Sequence, residues 1–200
     1  MSPQINLQST GVEETLDEIE GILIRDVNDA LEQVYARREA ADQERALRRN
    51  IPYVPIEFDP VPPEHFHTGN FPSVALNEVP KESYPYIVLT IEDYAPDPSD
   101  AMDDHKNIYR DALVVHCLAQ ASNEEGSEVV FRRSVRMSEA VFISLASERT
   151  LQSRLFGLSN PVRGQQSIPW TALYEGHGEK WWFQASGTHY AMRSYTSFYQ

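Results

Sequence analysis

Apolar positions recur at helical spacing through the first part of the chain, which predicts one long helix over residues 11–48. The residues of this stripe are Leu16, Ile19, Leu23, Val27, Ala30, Leu31 and Val34. Thr10 and Glu13 have the spacing of a capping box at the start of the helix. Beyond Tyr35 the segment ARREAADQERALRRN keeps good helix formers but loses the stripe. We therefore expect this half to project into solvent or against a neighbouring chain.

Prolines dominate the next segment and predict an extended arm over residues 51–83. Residues 51–85 hold eight of the thirteen prolines. Proline donates no backbone hydrogen bond and restricts the residue before it, which excludes a long helix or a central strand. Aromatic and aliphatic residues alternate with the prolines, so the arm is expected to lie along a surface. Whether that surface belongs to its own subunit or to a neighbour is left open.

Two β-rich segments follow the arm. YPYIVLTIEDY, residues 84–94, predicts a buried strand. NIYRDALVVHCLAQAS, residues 107–122, alternates with apolar residues on both faces, which predicts an antiparallel partner strand that is covered on both sides.

A second helix is predicted at about residues 124–148, where SEAVFISLASER favours a helix. Ser122 and Glu125 have capping-box spacing before it. We expect eight apolar residues to be buried along a broad arc of this helix: Val130, Phe131, Val135, Met137, Val141, Phe142, Leu145 and Ala146.

The last part of the chain again predicts strands. Aromatic and β-branched residues flank the turn EGHGE, with one strand before it, at residues 166–174, and one after it, at residues 181–199. The predicted fold is a single domain of residues 1–200 in the α/β class, more narrowly α+β. In it a mostly antiparallel sheet of about four strands, within residues 84–200, is flanked by the two helices in the order α-β-β-α-β-β.

The charge balance narrows the possible partners. The formal net charge is −13, which argues against broad nucleic-acid binding because phosphate neutralisation needs a concentrated basic face. An acidic wall would instead let DNA pass without sticking to it.

The single cysteine, Cys117, excludes an intrachain disulfide and the cysteine-based zinc motifs. The start MSPQINLQSTGVEE lacks the pattern of a signal peptide, so we expect the chain to begin in the cytoplasm.

Two clusters have metal-binding residue types without metal-binding spacing. His65 and His67, with Asp59 and Glu64 nearby, offer two imidazoles but no third ligand at a recognisable spacing. The second cluster is an acidic loop that lacks the ligand periodicity of an EF-hand. Its carboxylates are Asp97, Asp100, Asp103 and Asp104. We favour a solvated acidic loop between strands, which could line a channel if the chain forms a ring-shaped oligomer.

No catalytic, cofactor-binding or metal-binding residue is assigned, and we expect no enzymatic activity. A nucleophilic Cys117 assisted by His116 or His189 is the strongest catalytic alternative. However, a thiol within an apolar strand most often behaves as a small buried hydrophobic group. No P-loop, dinucleotide fingerprint, GxSxG or HExxH motif occurs in the sequence.

Three arginines stand out in VVFRRSVRMSEAV, residues 129–141: Arg132, Arg133 and Arg136. On a helix they fall within an arc of about 100° and form one polar face. Glu139 is at the (i, i+3) position from Arg136 and is expected to pair with it. The face could bind nucleic acid, be merely solvated, or meet the acidic loop of a neighbouring copy. We favour the last alternative, since guanidinium and carboxylate groups pair bidentately, and take these arginines and the loop carboxylates as subunit-interface candidates.

The order of elements resembles a known family. A leading helix, a strand like YPYIVLTIEDY, a loop, a strand ending in LVVHCLAQAS, a polar turn and the helix FRRSVRMSEAV together resemble tail terminator proteins of tailed bacteriophages and their neck-protein relatives. The resemblance is best over residues 11–48 and 84–148. The proline-rich arm, the length and the aromatic C-terminal strands depart from the pattern. They leave open whether the chain is the terminator itself or another neck or adaptor protein.

The resemblance implies a structural virion protein that assembles as a homohexameric ring. Such a ring caps the tail tube and joins it to the head connector, and DNA passes through its channel without specific binding. The implied partners are copies of the chain, tail-tube proteins and head-connector proteins, with no membrane and no cofactor. The implied location is the tail or neck of the virion, after assembly in the host cytoplasm. Two alternatives are a monomeric assembly adaptor that docks through its proline-rich arm and a metal-dependent hydrolase.

Overall fold

The computed structural model describes residues 12–69, 84–96, 106–147, 166–176 and 179–197. It contains helix α1 at Val12–Arg49 and helix α2 at Gly126–Ser147. Its strands are β1 at Phe66–Thr68, β2 at Tyr86–Pro96, β3 at Lys106–Ser122, β4 at Gln166–Gly176 and β5 at Glu179–Ser197. A one-turn 3₁₀ helix at Pro63–His65 precedes β1. The predicted α+β class is confirmed.

The sheet has the order β1-β2-β3-β5-β4. Strands β2 to β5 pair antiparallel, and the short β1 adds to β2 in parallel. β1 was not expected, because it is only three residues long and lies within the proline-rich segment. It joins the middle of the arm to the sheet, so part of the arm is fixed to the chain's own domain.

The main core lies between one face of the sheet and the two helices. It contains the apolar stripe of α1, the residues of β3 from Leu113 to Ala121 that point to this face, and the inner side of α2. The opposite face of β3 is also buried at Val114 and Leu118, where Leu118 joins a second cluster with Tyr84, Tyr86, Val88, Phe183 and Ala185. Burial of β3 on both faces agrees with the prediction.

Helix α1 ends in a Schellman motif at Asn50. Asn50 has φ +52°, a left-handed conformation that asparagine tolerates better than most residues. The Asn50 amide donates to the Leu47 carbonyl and the Ile51 amide donates to the Ala46 carbonyl, both at 3.1 Å. Pro52 follows and cannot continue the helix. The chain therefore turns sharply from the end of α1 into the arm.

Most residues of the second half of α1 are exposed, in agreement with the expectation that this half projects into solvent. Contact with a neighbouring chain, the other alternative, stays a prediction. One side of this half nevertheless packs along α2, where Asp42 and Ala46 are buried. The sequence pattern did not indicate this contact, because Asp42 of α1 binds Arg132 and Arg136 of α2 and such a polar contact leaves no apolar stripe in the sequence.

The capping box before α2 is confirmed, but the burial predicted for this helix is only partly correct. The Ser122 amide donates to a Glu125 carboxylate oxygen at 2.9 Å, and the Glu125 amide donates to the Ser122 hydroxyl at 3.3 Å. Val130, Met137, Val141 and Leu145 are buried, whereas Phe131 and Ala146 are exposed and Val135 and Phe142 are half-buried. α2 buries the side that faces the sheet and the polar side that faces α1. The second set of apolar residues, which includes Phe131 and Ala146, therefore stays more exposed than expected.

Candidate functional site

A buried carboxylate joins the two helices. Arg132 Nη1 donates to Asp42 Oδ1 at 2.9 Å, and Arg136 Nη2 donates to Asp42 Oδ2. Only 10% of the Asp42 side chain and 7% of the Arg136 side chain are exposed. We call Asp42, Arg132 and Arg136 the ion triad. Charges this deeply buried need partners, since loss of one member leaves the others unpaired in a poorly solvated site.

The arm packs against the ion triad through aromatic rings. The Arg136 guanidinium lies 4.5 Å from the centre of the Tyr35 ring, within the range of a cation–π contact. Phe58 of the arm meets Tyr35 edge to face, with ring centres 5.5 Å apart. Burial raises the pKa of Tyr35, and the nearby Arg136 charge opposes only part of that rise. Tyr35 therefore stays neutral and serves as a contact surface between α1, α2 and the arm.

Arg133 joins α2 to the end of β3 and to the turn between them. Its Nη1 donates to the Gln120 carbonyl at 2.9 Å, and its Nη2 donates to Glu125 Oε1 at 2.7 Å. Its Nε lies 3.7 Å from Asp59 Oδ2 in the arm. Burial by itself would raise the pKa of Glu125, but the hydrogen bond from the Ser122 amide and the charge of Arg133 outweigh it, and the pKa is lowered.

Glu139 does not pair with Arg136, and that prediction was wrong. Glu139 accepts hydrogen bonds from Arg37 and from Arg38, the latter at 2.9 Å from Nη2. Arg136 turns to Asp42 because it faces α1 one turn earlier along α2. Arg132 pairs in addition with Glu128, at the (i, i+4) position.

The three candidate arginines are thus brought together with carboxylates of their own chain. Arg133 and Arg136 are buried and Arg132 is half-buried, so they do not form a solvated face. The proposed partners Asp97, Asp100, Asp103 and Asp104 lie outside the described residues. Pairing of the arginines with a neighbouring copy stays a prediction. Sequence reasoning missed Asp42, because it is one of three acids in the arginine-rich half of α1 and nothing in the sequence distinguishes it from Glu39 and Glu44.

A groove opens beside the ion triad, between the end of α1, the start of the arm and the first turns of α2. It encloses about 200 Å³. Its lining combines apolar side chains with three arginines and three carboxylates: Ala46, Ile51, Val54, Val129, Arg45, Arg49, Arg132, Asp42, Glu125 and Glu128. Ile51 is 53% exposed, Val54 is 73% exposed and the adjacent Leu47 is 80% exposed. Apolar residues with this much exposure, close together and next to charges, are typical of a surface that contacts another protein.

The histidines of the arm are used separately. His65 Nδ1 lies 3.1 Å from the Pro85 carbonyl, a hydrogen-bond distance. The His67 ring meets Tyr86 edge to face, with centres 5.7 Å apart. Within the described ranges no group of three or more histidine, cysteine, aspartate or glutamate side chains is arranged to hold a metal ion.

Cys117 is fully buried in β3, as the alternation predicted. Burial raises the pKa of its thiol to about 12, although a hydrogen bond with Ser138 opposes the rise. His116, the adjacent residue, points to the opposite face of the strand. A thiol that is protonated and shielded from solvent in this way is a poor nucleophile.

Among the helices that the structure describes, neither is both long enough and apolar enough to cross a membrane.

No protein-family model matches the chain, and a search of the curated proteins finds no significant match.

Proposed function

We propose that the chain is a structural protein of the neck or tail of a tailed bacteriophage. In this proposal its copies form a ring that caps the tail tube and joins it to the head connector around the DNA channel. The α+β architecture, with two helices on one face of an antiparallel sheet, agrees with the fold that the sequence resemblance implies. The chain acts by holding neighbours together and carries out no chemistry.

One observation carries the proposal: the exposed apolar surface at the groove. Large apolar side chains that remain exposed are costly in a free protein and are accounted for when a partner covers them. Leu47, Ile51 and Val54 follow one another around the end of α1 and the start of the arm. Asp42 and Arg132 of the ion triad also line the groove, so the buried contact between α1 and α2 fixes part of its wall, which lowers the entropy lost on binding.

The test is the composition of purified virus particles. Particles are purified from cells that carry the gene in its native genome, and their proteins are quantified by mass spectrometry. The proposal predicts that the chain co-purifies with mature particles at a few copies per tail. Its absence from mature particles would rule the proposal out.

A monomeric assembly adaptor is the second candidate, favoured by the exposure of Val54 at the start of the arm. In that case the chain would bind tail or head intermediates and leave before maturation. It would be found in the unassembled fraction and missing from mature particles. Val54→Asp would abolish binding to those intermediates in the adaptor case, and a variant that still binds them would count against it.

A further inference from the structure

The start of the arm contains two pairs of residues in which an apolar side chain precedes a proline. The pairs are Ile51–Pro52 and Val54–Pro55, with Tyr53 between them. Proline fixes its own φ near −65° and disfavours the helical region for the residue before it. Among extended conformations, polyproline II is the one that fits this φ. Pro62, further along the arm, has φ −65° and ψ 152°, which are polyproline II values.

Exposure along this segment follows the period of polyproline II, which has three residues per turn. Tyr53 and Ile56 are half-buried and line the groove, so this edge of the segment faces its own chain. The other two edges face solvent: Ile51 is 53% exposed, Val54 is 73% exposed, and the prolines of both pairs are exposed. Both pairs are therefore presented outward, while the residue between them faces the groove.

The backbone of this segment is free, although its ends are fixed. Within the ranges that the structure describes, no hydrogen bond reaches the backbone of residues 52–60. The Ile51 amide donates to the Ala46 carbonyl, and the Asn28 side-chain amide exchanges two hydrogen bonds with the Val61 backbone, at 3.0 and 2.9 Å. The carbonyl groups between these anchors can accept hydrogen bonds from another protein, and a conformation that is fixed before binding loses less entropy on binding.

We propose that residues 51–55 are a polyproline II ligand for an aromatic-lined groove of a partner protein. Grooves of this kind bind apolar–proline pairs in pockets between aromatic side chains. The two pairs are three positions apart, which is one turn, so both meet the same surface. The inference deepens the proposed function and rests on it for the source of the partner, which would be another protein of the particle.

The partner is a different protein rather than a second copy of this chain. In the described ranges Tyr84 packs against Tyr86 and Phe183, with ring centres 5.1 Å apart in both pairs. These three aromatic side chains are at most 6% exposed. A second copy would therefore have to open a part of its core before this cluster could bind the segment.

SH3 domains have grooves of the required chemistry and serve as the probe. A panel of purified, isotope-labelled SH3 domains is titrated with the unlabelled full chain, and NMR chemical shifts report binding at the groove. The test variant Pro55→Leu keeps an apolar side chain but removes the proline ring. The matched control is Pro60→Leu, the same change at an exposed proline outside both pairs. Circular dichroism checks that each variant is folded.

The wild type and Pro60→Leu are expected to bind at least one domain of the panel through its groove. Pro55→Leu is expected to bind that domain about tenfold more weakly, because one of the two pocket contacts is lost. A second variant, Val54→Asp, is expected to weaken binding at least as much. Val54 is 73% exposed, so this change leaves the core intact.

The inference would be overturned by a wild type that binds no domain of the panel, or by a Pro55→Leu variant that binds as tightly as the wild type. Self-association of the wild type that Val54→Asp abolishes would assign the exposed pairs to a second copy and also overturn it. These results do not decide the particle test. A chain that is present in virions but binds no SH3 domain would keep the proposed function and lose this inference. A chain that is absent from virions but binds through Pro55 would do the reverse.

Discussion

Replacing Asp42 with asparagine isolates the contribution of the buried carboxylate to the α1–α2 contact. Asparagine has nearly the same volume and keeps an oxygen that can accept from Arg132, so the change removes charge without opening a cavity. Arg136, with 7% of its side chain exposed, would then be left without its anionic partner. Breaking a buried ion pair at one partner typically costs 3–5 kcal/mol. We expect a loss near the lower limit, about 3 kcal/mol, because the Tyr35 ring still faces the guanidinium.

The assay is urea unfolding followed by tryptophan fluorescence and circular dichroism. With a slope of about 2 kcal/mol per molar urea, the midpoint should fall by about 1.5 M. Glu44→Gln is the matched control, because Glu44 lies on the same helix and pairs with Arg48 in an exposed (i, i+4) bridge. That loss should be about 0.3–0.5 kcal/mol. All variants are compared at one protein concentration, since association changes the apparent stability.

A double-mutant cycle tests whether Arg136 is the partner through which Asp42 stabilises the protein. In an Arg136→Met background the unpaired cation is gone, so Asp42→Asn should cost clearly less than in the wild type. The reasoning would be refuted if Asp42→Asn and Glu44→Gln destabilised the protein equally, or if the cost of Asp42→Asn were the same in both backgrounds.

Three further predictions concern single side chains. The Cys117 thiol, whose pKa burial raises to about 12, should not react with a thiol reagent in the folded protein and should react fully in urea; fast reaction without unfolding would contradict its burial. Glu125 has a lowered pKa, so its contribution to folding stability is present above its unfolded pKa and is lost as the pH falls through its folded pKa. Glu125→Gln should therefore lower the free energy of unfolding by about 1 kcal/mol at neutral pH and reduce the loss of stability in acid. An acid-induced loss of stability equal to that of the wild type would contradict this prediction. Phe58→Ala removes the edge-to-face contact with Tyr35 and should lower the free energy of unfolding by about 0.5–1.5 kcal/mol beyond the loss from reduced burial. The arm of this variant should be cleaved faster by a protease than the arm of the wild type. Equal cleavage rates would show that the contact does not hold the arm.

Local patterns were sufficient for the elements whose residues interact with near neighbours or with a plain apolar core. The stripe from Leu16 to Val34 predicted the buried face of α1, and the alternation in β3 predicted burial on both sides. The Ser122–Glu125 box was predicted because its two hydrogen bonds join residues three apart. In each case a short stretch of sequence contains all of the interacting groups.

Contacts between distant segments could not be predicted in the same way. Asp42 and Arg136 are 94 positions apart, and nothing in either segment specifies that the helices lie antiparallel. A buried carboxylate and an exposed one look alike in sequence, so the sequence does not indicate that Asp42 joins the second half of α1 to α2. The short β1 was missed because prolines surround it and its pairing depends on β2.

The most direct test of the central claim is a reconstruction of the head–tail junction in mature particles by electron cryomicroscopy. The proposal predicts a ring around the channel into which copies of this fold can be built, with the exposed apolar surface at the groove of each copy covered by a neighbouring chain. A junction built entirely from other chains, with no density for this one, would contradict the claim.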